Sequence, residues 1–336
     1  MIASLRHLAC LLAALVVPVG AVAAPSDAPR NIGFQHLQVD GTEIGIWYPT
    51  DAPAASHALD LYAQTVAIDA PVAGNDRALV VISHGNGGSY AGHYDTALAL
   101  AQAGFVVASL THPGDNWRDQ RSALDIAART RAISALIDYM IDRWSGHAAL
   151  SPRRVGAFGF SAGGLTVLTA AGGVPDLGRL GQHCADHPNF FDCTLIASHR
   201  DAVASLSATP AWRADHRIRA LVVAAPALGF TFDHAGLATL TLPIQLWRAA
   251  DDHVLPQPYY AEAVAKNLPA KPDYHVVPGA DHFDFLAPCS TALAAQVPAI
   301  CRSAPGFDRA AFHATFNAAV VAFFTRSLPA HVRRAR

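Results

Sequence analysis

The sequence carries almost no net charge and no run of basic residues. It holds 24 Lys and Arg against 26 Asp and Glu among 336 residues, a formal net charge of −2. A nucleic acid or an anionic membrane surface would require a basic excess, so neither is expected as a partner. Arg333, Arg334 and Arg336 are interpreted as a solvated tail. Hydrophobic residues make up 52% of the chain, which favours a large buried core over disorder.

Motifs that bind metals or phosphates are also missing. The 17 histidines form no HExxH or HxHxDH pattern, and the five cysteines form no CxxC pair. These absences argue against a metal-dependent hydrolase and against a zinc site. The glycine-rich segment 85–88 has neither GxGxxG spacing nor a following Gly-Lys-Ser/Thr, which argues against a phosphate-binding loop. We therefore expect no metal and no organic cofactor.

Residues 1–23 have the pattern of a secretory signal peptide. Arg6 and His7 precede an apolar run over 8–22, and Ala-Val-Ala at 21–23 resembles a cleavage site. A membrane anchor is the alternative, but the run is broken by a proline and a glycine and is short for a span of about 20 residues. The prediction is an exported mature chain, 24–336, periplasmic or secreted and not stably inserted in a membrane. The oligomeric state is left open.

Four cysteines remain in the mature chain. In an exported protein they indicate two disulfides, for which sequence alone allows three connectivities. Short loops favour Cys184–Cys193 and Cys289–Cys301, with reduced buried thiols as the alternative.

Strand-like apolar runs alternate with helical stretches along most of the chain. An opening hairpin at 34–48 turns at Asp40-Gly41, and residues 51–76 are expected to form a loop. From residue 78 onward the alternation predicts an α/β fold, with a mostly parallel sheet covered by helices on both faces. The mature chain is predicted to form a single domain. Residues 172–216 do not fit the alternation and are interpreted as a lid-like insertion, or else as a surface excursion held by one disulfide.

The sharpest functional signal is the segment Gly159-Phe160-Ser161-Ala162-Gly163. It lies where a predicted strand, 155–160, meets a predicted helix, 162–171. Glycines two residues on either side of a serine allow a tight strand-to-helix turn that presents the hydroxyl above the sheet. The spacing therefore predicts that Ser161 is a nucleophile and that the α/β fold is of the α/β-hydrolase type.

A second signal is the glycine-rich segment 83–88, which follows the predicted strand 79–83. In this fold one oxyanion donor comes from such a loop and the other from the residue after the nucleophile. The main-chain N–H groups of Asn86 and Ala162 are the candidates. His84 is interpreted as structural.

A serine nucleophile requires a base, and the base requires an orienting carboxylate. The chain order of this fold, serine then acid then histidine, is met by Ser161, Asp252 and His282, the last two following predicted strands 242–248 and 274–277. Asp251 is the alternative acid. The competing residues considered less suitable are His253, His275, Asp281 and Asp284.

Together these motifs resemble one branch of the α/β hydrolases, the dienelactone-hydrolase-like proteins that group with plasma-type platelet-activating-factor acetylhydrolases. The matching residues, supported by Thr111-His112-Pro113-Gly114-Asp115, are His84-Gly85-x-Gly87-Gly88, Gly159-x-Ser161-x-Gly163, Asp252-x-x-Leu255-Pro256 and Gly279-x-x-His282-Phe283. The resemblance covers about 34–328. True dienelactone hydrolases use a cysteine nucleophile, so Ser161 favours ordinary carboxylic esters.

The expected activity is serine-dependent hydrolysis of small-molecule carboxylic esters through an acyl-enzyme intermediate. The resemblance implies a preference for short-acyl or lipid-like esters, and hence a role in lipid degradation. Other acyl chemistry on the same residues (thioester, lactone or amide hydrolysis, or acyl transfer) and a non-catalytic binding role are the alternatives. Phe160, Phe283, Phe285 and Trp117 are candidates for an apolar acyl pocket, or else for the core.

Overall fold

The computed structural model describes residues 31–59, 61–199 and 214–330. Within these ranges ten strands form one sheet in the order β10-β9-β8-β7-β5-β6-β2-β1-β4-β3. The strands are β1 (Asn31–Val39), β2 (Thr42–Thr50), β3 (Ala55–Leu59), β4 (Tyr62–Ile68), β5 (Arg77–Ser83), β6 (Val106–Thr111), β7 (Leu150–Phe160), β8 (Ile218–Ala224), β9 (Ile244–Ala249) and β10 (Asp273–Val277).

The sheet is parallel from β5 to β10, as the alternation of apolar strands and helices predicts. β2 pairs antiparallel with β6 and with β1, so the opening hairpin continues the sheet on one side. Asp40 and Gly41 take φ values of 50° and 79°, the left-handed conformations that a two-residue hairpin turn needs.

Helices cover both faces of the sheet. The α-helices in the described ranges are α1 (Tyr94–Gln102), α2 (Ile126–Asp138), α3 (Ala162–Ala170), α4 (Leu180–Asp186), α5 (Phe191–Ser198), α6 (His234–Leu237), α7 (Ala261–Asn267), α8 (Thr291–Gln296), α9 (Pro298–Cys301) and α10 (Arg309–Ser327). Successive residues of β5 point to opposite faces: Leu79 and Val81 pack with α2 and α3, whereas Val80 and Ile82 pack with α1 and α10. The prediction of helices on both faces of a mostly parallel sheet is confirmed.

One local prediction was wrong. Residues 51–76 are not a loop, because β3 and β4 form an antiparallel pair there, and β4 alternates buried and exposed residues along most of its length. A side-chain cap marks the start of α2. Asp125 caps α2 by accepting from the N–H of Ala128 at 2.7 Å, and the last turn is a π-helix over Tyr139–Arg143.

Both favoured disulfides are present. Cys184–Cys193 joins α4 to α5, and Cys289–Cys301 ties the chain before α8 to the end of α9. The described part of the insertion, 172–199, is therefore largely helical and cross-linked, while 200–213 lies outside the described residues, as does the predicted signal peptide at 1–23. Across the described ranges, no helix has the length and apolarity required to cross a bilayer.

Candidate active site

Ser161 lies in a sharp turn between β7 and α3. Its φ and ψ are 56° and −119°, a conformation that non-glycine residues rarely adopt. A Cβ at Gly159 would lie 2.1 Å from the carbonyl oxygen of Gly163, and one at Gly163 would lie 1.9 Å from that of Ser83. Glycine is therefore required at both flanking positions for the turn to close. The strained backbone conformation lies at Ser161, the residue that the motif predicts as the nucleophile.

Ser161, His282 and Asp252 form a continuous chain of hydrogen bonds. His282 Nε2 lies 3.0 Å from Ser161 Oγ, and His282 Nδ1 lies 2.9 Å from Asp252 Oδ2. All three side chains are buried or nearly so. If Nδ1 carries the proton donated to Asp252, Nε2 is free to accept the serine proton. The structure thus brings together the three residues selected from sequence.

Backbone groups fix the acid and the base. Asp252 Oδ1 accepts from the N–H groups of Val254 and Leu255 at 3.0 and 2.7 Å, which leaves Oδ2 for the imidazole. Asp281 accepts from the N–H of His282 at 2.7 Å, and Asp284 accepts from the N–H of Asp281 at 2.8 Å. Asp281 and Asp284 therefore stabilise the backbone turn that carries His282, whereas Asp252 bonds its imidazole ring.

The other residues considered as the acid or the base are not part of this chain of hydrogen bonds. Asp251 is exposed, and His253 is exposed and pairs with Asp281 at 3.3 Å. His275 stacks on Trp247 at a ring separation of 3.9 Å.

A buried ion pair that the sequence analysis missed holds the loop after β5. Asp115, fully buried, accepts at Oδ1 from Asn86 Nδ2 at 2.7 Å and from the N–H of Gly87 at 3.0 Å. Its Oδ2 accepts from Arg129 Nη1 at 2.5 Å, and Arg129 also donates to the carbonyl of His84. The one available sequence signal is that Arg129 interrupts the apolar face of α2, three residues after Ile126.

His84 is engaged by backbone on both ring nitrogens. Its Nδ1 lies 2.6 Å from the carbonyl of Gly85, and its Nε2 accepts from the N–H of His112 at 2.9 Å. Burial, with Arg129 nearby, holds the pKa of His84 well below its ordinary value. The neutral ring therefore stabilises the loop after β5, and its position is that of a structural residue and not of a reacting one.

A pocket opens at Ser161. The candidate oxyanion residues Asn86 and Ala162 line the same pocket. Its other lining residues come from the chain before α2, from α2, from α3, from the insertion and from the loops after β8 and β9; they are Ala123, Leu124, Ile126, Arg129, Leu165, Leu180, Phe191, Asp192, Leu195, Ile196, Ala227, Leu228 and Leu255. The wall is apolar, and part of it belongs to the insertion.

The aromatic residues expected to line this pocket do not do so. Phe160 and Phe285 are buried in the core against α10, although the Phe160 ring lies 4.8 Å from that of His282. Trp117 is 63% exposed. Phe283 is half-buried and is also absent from the lining. Residues of the insertion line the pocket instead, Phe191 among them, and their approach depends on tertiary packing.

Comparisons with known proteins support the fold. No protein-family model and no curated protein matches this chain. Among solved structures, a ferulic acid esterase from Streptomyces cinnamoneus matches 94% of this chain and 96% of its own, with a TM-score of 0.59 and 19% sequence identity. Because a likeness at this identity shows architecture alone, the conclusion is that this chain has the α/β-hydrolase fold.

Proposed function

We propose that this protein is a serine esterase that hydrolyses carboxylic esters through an acyl-enzyme on Ser161. The observation that carries the proposal is the hydrogen-bonded chain from Ser161 through His282 to Asp252 at an apolar pocket. The fold shared with a ferulic acid esterase adds support, because that protein acts on esters.

The proposed steps follow from these positions. Ser161 Oγ attacks the ester carbonyl while His282 Nε2 takes its proton, and Asp252 stabilises the resulting imidazolium. The N–H groups of Asn86 and Ala162 donate to the oxyanion. Collapse of the tetrahedral intermediate expels the alcohol, which His282 protonates. A water molecule activated by His282 then releases the acid and restores the serine.

The apolar wall favours short-acyl or lipid-like esters, in keeping with the resemblance to the acetylhydrolase branch. Two disulfides favour export, and we propose a periplasmic or secreted enzyme formed as one domain after loss of residues 1–23.

The test is hydrolysis of p-nitrophenyl esters from acetate to long acyl chains by the mature protein and by Ser161→Ala. We expect kcat to fall by several orders of magnitude in the variant, because the triad acts as a unit. Equal activity in the two proteins would overturn the proposal. Parallel amide and thioester substrates separate an esterase from other acyl hydrolases.

A further inference from the structure

One acidic residue interrupts the apolar wall of the pocket. Asp192, at the start of α5, is 6% exposed, and it is the one acidic side chain among the described residues that line the pocket. Burying a carboxyl group in an apolar surface costs free energy unless the group is hydrogen-bonded. A residue that lines the pocket, buries its carboxyl group and has no part in the triad therefore requires an explanation.

The partners of Asp192 leave part of its acceptor capacity open. Tyr260 Oη lies 3.0 Å from each carboxyl oxygen, and the N–H of Cys193 donates to Oδ1 at 2.9 Å. His183 Nε2 lies 3.3 Å from Tyr260 Oη but 4.0 Å from Asp192 Oδ2. A carboxylate offers about four lone-pair sites, and Tyr260 has one proton to share between the two oxygens. Together with the backbone N–H of Asp192 itself, these donors leave capacity for about one further hydrogen bond to the carboxylate.

The cluster is held rigidly. The Cys184–Cys193 disulfide joins the residues that directly follow His183 and Asp192, so it fixes these two side chains across α4 and α5. His183 also stacks on Phe230 at a ring separation of 3.6 Å. Burial raises the pKa values of both Asp192 and Tyr260, so the tyrosine keeps the proton that it donates.

A metal ion does not account for the cluster. His183, Asp192 and Cys193 are close enough together to hold one, but the Cys193 sulfur is bonded to Cys184 and is not available as a thiolate.

We propose that Asp192 determines specificity by accepting a hydrogen bond from a hydroxyl group on an otherwise apolar acyl chain of the ester. The inference rests on the proposed esterase function and names its substrate class as hydroxylated aryl or alkyl esters. A site built to bond a hydroxyl discriminates strongly against the analogue that lacks it, because the buried acceptor is then left unpaired.

The experiment compares methyl esters that differ only in this group. The first set is methyl 3-phenylpropanoate with hydrogen, a 3- or 4-hydroxyl, or the corresponding methoxy group on the ring, and the second set is methyl octanoate with methyl 8-hydroxyoctanoate. We expect the mature protein to prefer at least one hydroxylated ester by about tenfold or more in kcat/KM. Within the ring set, the methoxy group should abolish that preference.

The variants assign the preference to Asp192. In Asp192→Ala the ratio of kcat/KM for the hydroxylated and plain esters should fall to about one. The matched control is Asp186→Ala, an exposed position at the end of α4 whose carboxylate bonds Gln182, and its ratio should equal that of the unchanged protein.

The outcomes separate the two proposals. Hydrolysis of plain esters without a hydroxyl preference overturns this inference and leaves the esterase intact, and so does a preference that survives Asp192→Ala. Absence of hydrolysis for every ester overturns both. If Asp192→Ala fails to fold, the absence of a hydroxyl preference in the unchanged protein still overturns the inference.

Discussion

The buried pair of Asp115 and Arg129 should couple stability to catalysis. In Asp115→Ala the guanidinium of Arg129, which is 4% exposed, loses its carboxylate partner, while Asn86 and Gly87 lose their acceptor. Breaking a buried ion pair from one side costs about 3–5 kcal/mol of the free energy of unfolding. Because the same carboxylate holds the loop that presents the Asn86 N–H, kcat should also fall, by about 10²–10³ if the oxyanion donor is misplaced.

The assay is urea unfolding combined with steady-state hydrolysis of p-nitrophenyl acetate. A loss of the oxyanion donor should lower kcat with little change in KM, since that hydrogen bond acts in the transition state. The control is Glu262→Gln, which breaks a half-exposed pair with Arg248 at 3.0 Å and should cost no more than about 1 kcal/mol. An Asp115→Ala protein that is as stable and as fast as the control would refute the reasoning.

Three further outcomes are expected. Burial lowers the pKa of His93 from its ordinary 6.5 to about 4. Between pH 6.5 and 4 this histidine is therefore protonated in the unfolded chain but neutral in the folded protein. Because the proton stabilises the unfolded state, the free energy of unfolding should fall by up to about 3 kcal/mol as pH drops from 6.5 to 4. Urea titrations across that range should show a smaller fall in His93→Phe, and an equal slope would contradict the account. Gly163→Ala should abolish folded, active protein because its Cβ has no room, whereas Gly181→Ala, with open space around it, should express and melt normally. Asp252→Asn should lower kcat by about 10⁴ while Asp251→Asn, at the exposed neighbour, retains activity, and the reverse ranking would exclude Asp252 as the acid.

The strand ends were the most predictable part of the molecule. Ser161 could be located because its flanking glycines, the preceding apolar strand and the following helix all indicate one turn geometry. Asp252 and His282 could be located because parallel strands bring their carboxyl ends to one edge of the sheet. The chain order then restricted the choice among 17 histidines.

The remaining parts depend on contacts that no local pattern encodes. The strands β3 and β4 lie in a segment rich in alanine and proline, where turn-like composition obscured the alternation. Arg129 interrupts the apolar face of α2, but this pattern does not identify its partner Asp115, which the fold brings to it. The same holds for Asp192 in the pocket wall, since α5 reaches the pocket only through the tertiary packing of the insertion.

The central claim is that Ser161 is the nucleophile, and intact-protein mass spectrometry after exposure to a fluorophosphonate tests it most directly. The mature protein should gain the mass of one phosphonyl group, peptide mapping should place it on Ser161, and Ser161→Ala should gain none. Ester hydrolysis should fall in proportion to the fraction of the protein that is labelled. Labelling at another residue, or full esterase activity in the labelled protein, would contradict the account.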